Sequence, residues 1–211
     1  GGNLTVANPI SAAGTIGVNG TAAVLKATLS GAITLAGDTV FRSAGGSNGS
    51  FDLTNTVNLG AFNANFNLDG SNTTNVTGVV SGTGSLTKSS TAPVVLTGTN
   101  TYSGGTFLNG GVLSVGADAN LGASTGGLTF NGGTLLANTS FTLGATRPIV
   151  LTGNATLAAA TGTRIIVFDL GPDGGAVPAS GRQIADLEPK VSPGILLAWS
   201  PDGARLAWGS T

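Results

Sequence analysis

Between residues 78 and 136 the chain breaks into apolar runs of three or four residues, each closed by Gly, Asn, Ser or Thr. Val94-Val95-Leu96, Thr106-Phe107-Leu108, Val112-Leu113-Ser114-Val115, Leu128-Thr129-Phe130 and Thr134-Leu135-Leu136 are such runs. None is long enough to nucleate and hold a helix, and no apolar stripe of helical period is present. They are also short for the core strands of a sandwich. Short strands joined by tight turns are what a β-solenoid needs, because each coil buries its apolar side chains against the next.

The same texture extends over residues 1–162. Candidate strands include Asn3–Val6, Ala22–Leu29, Ala32–Leu35, Thr39–Arg42, Ser50–Leu53, Thr56–Leu59, Asn65–Leu68, Asn75–Val80, Ser85–Thr87, Ser140–Leu143, Ile149–Leu151 and Ala155–Leu157. Asn-Gly pairs at Asn19, Asn48, Asn109 and Asn131 mark turns. Such pairs suit antiparallel hairpins and the left-handed corners of a solenoid alike, so they leave strand direction open. The step from Asn109-Gly110-Gly111 to Asn131-Gly132-Gly133 is 22 residues. Taken as one coil, it predicts about seven coils, a stack of roughly 34 Å at ~4.8 Å per rung.

Within this region, Ser85-Leu86-Thr87-Lys88, Leu96-Thr97-Gly98, Asn100-Thr101-Tyr102-Ser103-Gly104-Gly105-Thr106 and Asn109-Gly110-Gly111-Val112-Leu113 resemble the autotransporter-associated β-strand repeat. Gly116-Ala117-Asp118-Ala119-Asn120-Leu121-Gly122 is similar to that repeat's continuation. The resemblance covers about a quarter of the chain closely. It implies an all-β fold, a right-handed parallel β-helix, in the exported passenger of a bacterial surface protein.

Composition narrows the chemistry. The chain has no Cys, no His and no Met. Disulfides, thiol nucleophiles, thiolate metal sites and histidine bases are therefore absent. The lack of Met leads us to expect a processed or excised piece of a longer product. Net charge is −1 with 8% charged residues, which argues against nucleic acid as a partner. No apolar run approaches the ~18 residues of a membrane-spanning helix. With 40% hydrophobic residues and near-neutral charge the chain does not read as disordered. Its surface must be built of Thr, Ser, Asn and Gly, which protects weakly against side-by-side association.

The character changes near Thr161-Gly162-Thr163. Residues 163–211 concentrate charge, both Trp residues and four of the eight Pro. Arg164–Leu170 reads as a strand. Gly194–Trp199 and Ala204–Trp208 flank Ser200-Pro201-Asp202-Gly203 as a hairpin, with Trp199 and Trp208 expected to face each other across it. The segment Leu197–Trp208 weakly resembles one blade of a TolB-type β-propeller, and one blade cannot close a propeller. We expect residues 163–211 to be a capping or assembly element.

Candidate active groups read mostly as structural. Asp38, Asp52, Asp69 and Asp118 are separated by 14, 17 and 49 residues. None of these gaps equals 22, so the stacked acids of a glycan-active β-helix enzyme are not indicated. These residues read as turn and cap groups, and Asp118→Asn is expected to be nearly silent. Asp169-Leu170-Gly171-Pro172-Asp173-Gly174 lacks the ligand pattern of a calcium loop. A Ser-Lys pair would rest on Lys26, Lys88 or Lys190. Tyr102, Phe107 and Phe130 read as coil interior rather than as glycan-stacking aromatics. The Asn-x-Ser/Thr sites, at Asn3, Asn19, Asn48, Asn72, Asn75, Asn138 and Asn154, read as chance matches in an Asn- and Thr-rich chain.

The reading that results is a non-enzymatic structural protein with no catalytic, cofactor or metal residue assigned. It is a rigid β-helical shaft or fibre segment of the extracellular space or bacterial outer surface, with an adhesive or aggregative role. Its expected partners are other copies, neighbouring segments of a longer surface protein, or surface glycans. A self-assembling filament subunit and a glycan-active β-helix enzyme are the alternatives.

Overall fold

The computed structural model describes residues 3–19, 26–44 and 49–160, and the backbone of four further strands within 165–210. It is an all-β solenoid with parallel strand pairing throughout residues 4–159. One 3-10 turn, Asp118–Leu121, is the helical element among the described residues.

Along one side run β1 (Leu4–Val6), β3 (Lys26–Leu29), β5 (Ser50–Leu53), β8 (Thr74–Val76), β11 (Val94–Leu96), β13 (Val112–Val115), β15 (Thr134–Ala137) and β17 (Thr156–Ala159). The other sheet stacks β2 (Ile10–Asn19), β4 (Ile33–Ala44), β7 (Ala64–Asn67), β10 (Leu86–Ser89), β12 (Thr106–Leu108), β14 (Leu128–Phe130) and β16 (Ile149–Leu151). A short third column adds β6 (Val57–Asn58) and β9 (Val80–Ser81) to the first half of β4. In β2 and β4 the pairing shifts between Ala12 and Gly14, where the chain turns from one column to the next. Gly14 sits at φ 93° at that turn, a conformation that favours glycine.

The register pairs Leu4 with Ala27, Lys26 with Ser50, Asp52 with Asn75, Asn75 with Val95, Val94 with Leu113, Leu113 with Leu135, and Thr134 with Thr156. The coils are therefore 23, 24, 23, 20, 19, 22 and 22 residues long. The expected number of coils is met, but the uniform 22-residue period is not. Coils shorten once the third column ends after β9, because the corner there is turned by tight loops instead of a strand.

Side chains alternate in and out along each strand, so stacking coils build columns. Inward columns on the first sheet are Leu4–Ala27–Phe51 and Val6–Leu29–Leu53, which continue upward through Val94, Leu113, Leu135 and through Val76, Leu96, Val115. On the second sheet they are Thr39–Ala64–Leu86–Thr106–Leu128–Ile149 and Phe41–Phe66–Lys88–Leu108–Phe130–Leu151. Phe41 stacks on Phe66 at 4.9 Å and meets Phe51 edge-on at 5.8 Å. These columns fill the core and tie each coil to its neighbours.

Several sequence expectations need correction. Ile10–Asn19 is a strand although its small residues and Gly14 and Gly17 read as loop. Ala32–Leu35 and Thr39–Arg42 form one strand. Asn75–Val80 splits into β8 and β9. Ser140–Leu143 is not a strand, since this stretch is drawn into a corner loop whose Gly144 N–H donates to Asp118.

Beyond β17, β18 (Ile165–Phe168) and β19 (Gln183–Leu187) pair antiparallel. β20 (Ile195–Trp199) pairs antiparallel with β17, and β21 (Leu206–Ser210) with β20. The expected hairpin is present and extends the first sheet. Trp199 lies opposite Leu206, and Trp208 opposite Leu197. The two Trp positions are therefore diagonal, not directly paired as the sequence suggested. The expected boundary at residues 161–163 and the Asp169–Gly174 segment lie outside the described residues.

Candidate functional site

Each carboxylate of the described coils has a structural engagement. Asp38 Oδ1 accepts the Asn63 N–H at 2.8 Å. Asp52 pairs with Lys26 at 2.6 Å and accepts from Asn75 Nδ2 at 2.9 Å. In its outward column Asp52 lies between Thr28 and Asn75, not beside another acid.

Asp118 differs from the sequence expectation of a simple cap. Arg147, whose side chain is fully buried, donates from Nε to Asp118 Oδ1 at 2.8 Å and from a terminal nitrogen to Oδ2 at 3.1 Å. The same guanidinium donates to the carbonyls of Asp118, Leu121, Gly122, Ala123 and Gly126. One side chain thus fastens the loop after β13 to the loop before β16. Burial pushes the Asp118 carboxyl up, but the Arg147 hydrogen bond, the Gly144 N–H and the Arg147 charge outweigh it and hold it below the usual range.

The Asn-Thr-Tyr-Ser-Gly-Gly-Thr stretch turns out to be structural chemistry. Asn100 accepts the Val80 N–H through Oδ1 at 2.8 Å and donates to the Asn120 carbonyl at 2.6 Å. Asn120 donates to Gly98 O and accepts from the N–H groups of Gly116 and Ala117. Where the third strand column stops, these buried amides replace the missing ladder. The buried Tyr102 hydroxyl shares a 2.7 Å hydrogen bond with Thr106. Burial, partly countered by that bond and the Arg147 charge, raises its pKa to about 12, so it stays neutral.

Of the three aromatics weighed on the sequence, Tyr102 and Phe130 are interior as expected. Phe107 is not. It lies half-buried in the outward column Val40–Asn65–Thr87–Phe107–Thr129–Val150. Arg42 and Asn67 stand on the same outer face.

The sequence did not anticipate Lys88. It occupies an inward position between Phe66 and Leu108 with 0% exposure. Its Nζ reaches the corner after β10 and donates to the carbonyls of Ser89, Ser90 and Gly110. Burial lowers its pKa from 10.5 to about 8, with the nearby Asp69 charge opposing. The available signal was phase: Leu86 and Lys88 share the inward parity of β10.

Residues 86–115 match the model of the passenger-associated-transport-repeat. The chain carries an autotransporter passenger repeat. It is also 41% identical over 70 residues to the Adhesin BmaC autotransporter of Brucella suis biovar 1 (strain 1330). That alignment covers 33% of this chain and 2% of the relative. No solved structure gives a significant match. The passenger repeat and the adhesin relative point to the extracellular space or the outer cell surface.

Proposed function

We propose that this chain is a shaft segment of a surface adhesin, holding binding regions of a longer passenger away from the cell. The observation that carries this reading is the continuous inward stack through residues 4–159, with the passenger repeat at its centre. Such a stack is stiff along its axis and presents polar columns outward. The Arg147–Asp118 clamp, the Asn100–Asn120 amides and the Lys88 corner all serve coil-to-coil fastening. This use of the polar groups, with the name of the adhesin relative, supports a structural role over a glycan-active enzyme. Residues 163–211 act in this reading as a capping or assembly element, since β20 and β21 continue the first sheet beyond its last coil.

The adhesive part is tested with beads coated in purified chain and applied to cultured cells. Adhesion above albumin-coated beads, lowered by Phe107→Ala or Arg42→Gln on the outer face, supports it. Binding equal to albumin removes the adhesive role and leaves a plain spacer. A second reading, self-assembly, is favoured by β21, whose sequence Leu206–Ser210 carries no charge or Pro to guard its free edge. Negative-stain microscopy separates the two, because a shaft segment gives short rods and a filament subunit gives fibres.

A further inference from the structure

Ser90 has φ 62°, and among the described residues it is the non-glycine position with positive φ. The coils on either side turn this corner with glycines in that region, Gly70 at φ 104° and Gly111 at φ 62°. A Cβ makes the left-handed conformation unfavourable, and strain of this kind gathers where a backbone does chemistry.

Three groups converge on the peptide bond between Ser89 and Ser90. Ser90 Oγ lies 2.6 Å from Asp69 Oδ1 and 2.7 Å from Asn67 Oδ1. A hydroxyl has one hydrogen to give. With the Asn67 amide turned end for end, its NH2 donates to Oγ and the hydroxyl hydrogen belongs to Asp69. On the other side, Lys88 Nζ donates to the Ser89 carbonyl oxygen at 2.5 Å. Its further bonds to Ser90 O and Gly110 O, at 2.7 and 3.4 Å, keep it there. Lys88 remains a cation at neutral pH. Ser89 and Ser90 are half-buried and Asp69 is exposed, so water reaches this corner.

We propose that this corner is a self-processing site at which the chain cleaves its own backbone between Ser89 and Ser90. Asp69 takes the hydroxyl proton as Ser90 Oγ attacks the Ser89 carbonyl carbon. A C–O bond forms, the carbonyl electron pair moves to oxygen, and the Lys88 ammonium holds that oxyanion. The intermediate collapses by breaking the bond to the Ser90 nitrogen, which receives the proton from Asp69. The result is an ester between the Ser89 carbonyl and Ser90 Oγ, with a free amine on Ser90. Water hydrolyses the ester, leaving a carboxylate on Ser89 and restoring the Ser90 hydroxyl. The net change is one peptide bond and one water consumed. The reaction turns over once per chain and relieves the strained φ.

The nicked solenoid stays assembled, because β10 and β11 on either side of the cut remain paired with the coils below and above. The cut is therefore read after denaturation. Purified full-length chain is incubated at neutral pH, with and without hydroxylamine, then unfolded and weighed by mass spectrometry. Fragments 1–89 and 90–211 are expected, the second beginning Ser90-Thr91-Ala92, with hydroxylamine raising the yield several-fold by trapping the ester. Ser90→Gly accepts the positive φ without strain and keeps the fold, yet it lacks the nucleophile and should yield no fragment. Asp69→Asn should slow cleavage. The proposal is overturned if wild-type chain stays intact in hydroxylamine, if Ser90→Gly is cut at the same bond as fast as wild type, or if Asp69→Asn leaves the rate unchanged.

Discussion

Replacing Asp118 by Asn keeps shape and polarity and removes one charge, so it isolates what the carboxylate does for Arg147. The Arg147 side chain has 0% exposure and the Asp118 side chain 22%. Stripping a buried ion of its partner costs about 3–5 kcal/mol. Here five carbonyls still accept from the guanidinium, and Asp118 keeps some contact with solvent. The loss should therefore fall to about 2 kcal/mol. Because a solenoid opens coil by coil, the loss should appear locally. Amide hydrogen exchange in residues 116–147 should accelerate roughly 30-fold, while residues 26–44 stay unchanged. The depressed Asp118 pKa adds a pH signature. Its stabilisation is present above the ordinary carboxylate range and is lost as pH falls through the lower folded value. Asp118→Asn should lack that acid-side loss. Exchange in residues 116–147 within about twofold of wild type would refute the clamp.

Leu113→Asp places an unpaired carboxylate in a fully buried inward column, and thermal scans with proteolysis should show several coils lost together. Lys88→Met should flatten the alkaline stability profile: between about 8 and 10.5 the unfolded chain binds more protons at Lys88 than the folded one, so wild-type urea stability rises with pH there. Deleting everything after Thr163 uncovers the β17 edge that β20 occupies, and light scattering should then report altered assembly or irregular aggregation; an unchanged oligomeric state would make the tail an independent appendage.

The sequence disclosed the solenoid where alternation was clean. Ser50–Leu53, Thr106–Leu108, Val112–Val115, Leu128–Phe130 and Ile149–Leu151 fall on the expected residues, because apolar side chains at every second position announce an inward column. Ile10–Asn19 was hidden because Ala12, Ala13, Gly14 and Gly17 carry little apolar signal. The coil length was misjudged because two Asn-Gly-Gly turns sampled a single coil, while neighbouring coils lose residues where the third column ends. Charged interior groups were the least legible. Lys88 and Arg147 satisfy their donors with backbone carbonyls from residues far apart in sequence, and no local pattern announces such partners. Ser90 was visible only as the absence of glycine at a corner where the next coil has Gly110-Gly111. A Ser-Lys pair had been weighed with Lys88 as a member, but the sequence could not say that its ammonium meets a backbone carbonyl.

The central claim is that consecutive coils stack in parallel register along one axis. The chain has no Cys, so pairs of spin labels can be placed without background. Thr5, Val95, Leu136 and Ala158 belong to one outward column, in which Val95 is four rungs from Thr5, Leu136 six and Ala158 seven. With one label at Thr5, pulsed electron paramagnetic resonance should give backbone separations of about 19, 29 and 34 Å at ~4.8 Å per rung. A distance that grows in proportion to rung number is the result expected of a parallel solenoid. Separations that fail to increase from Val95 to Leu136 to Ala158 would contradict it.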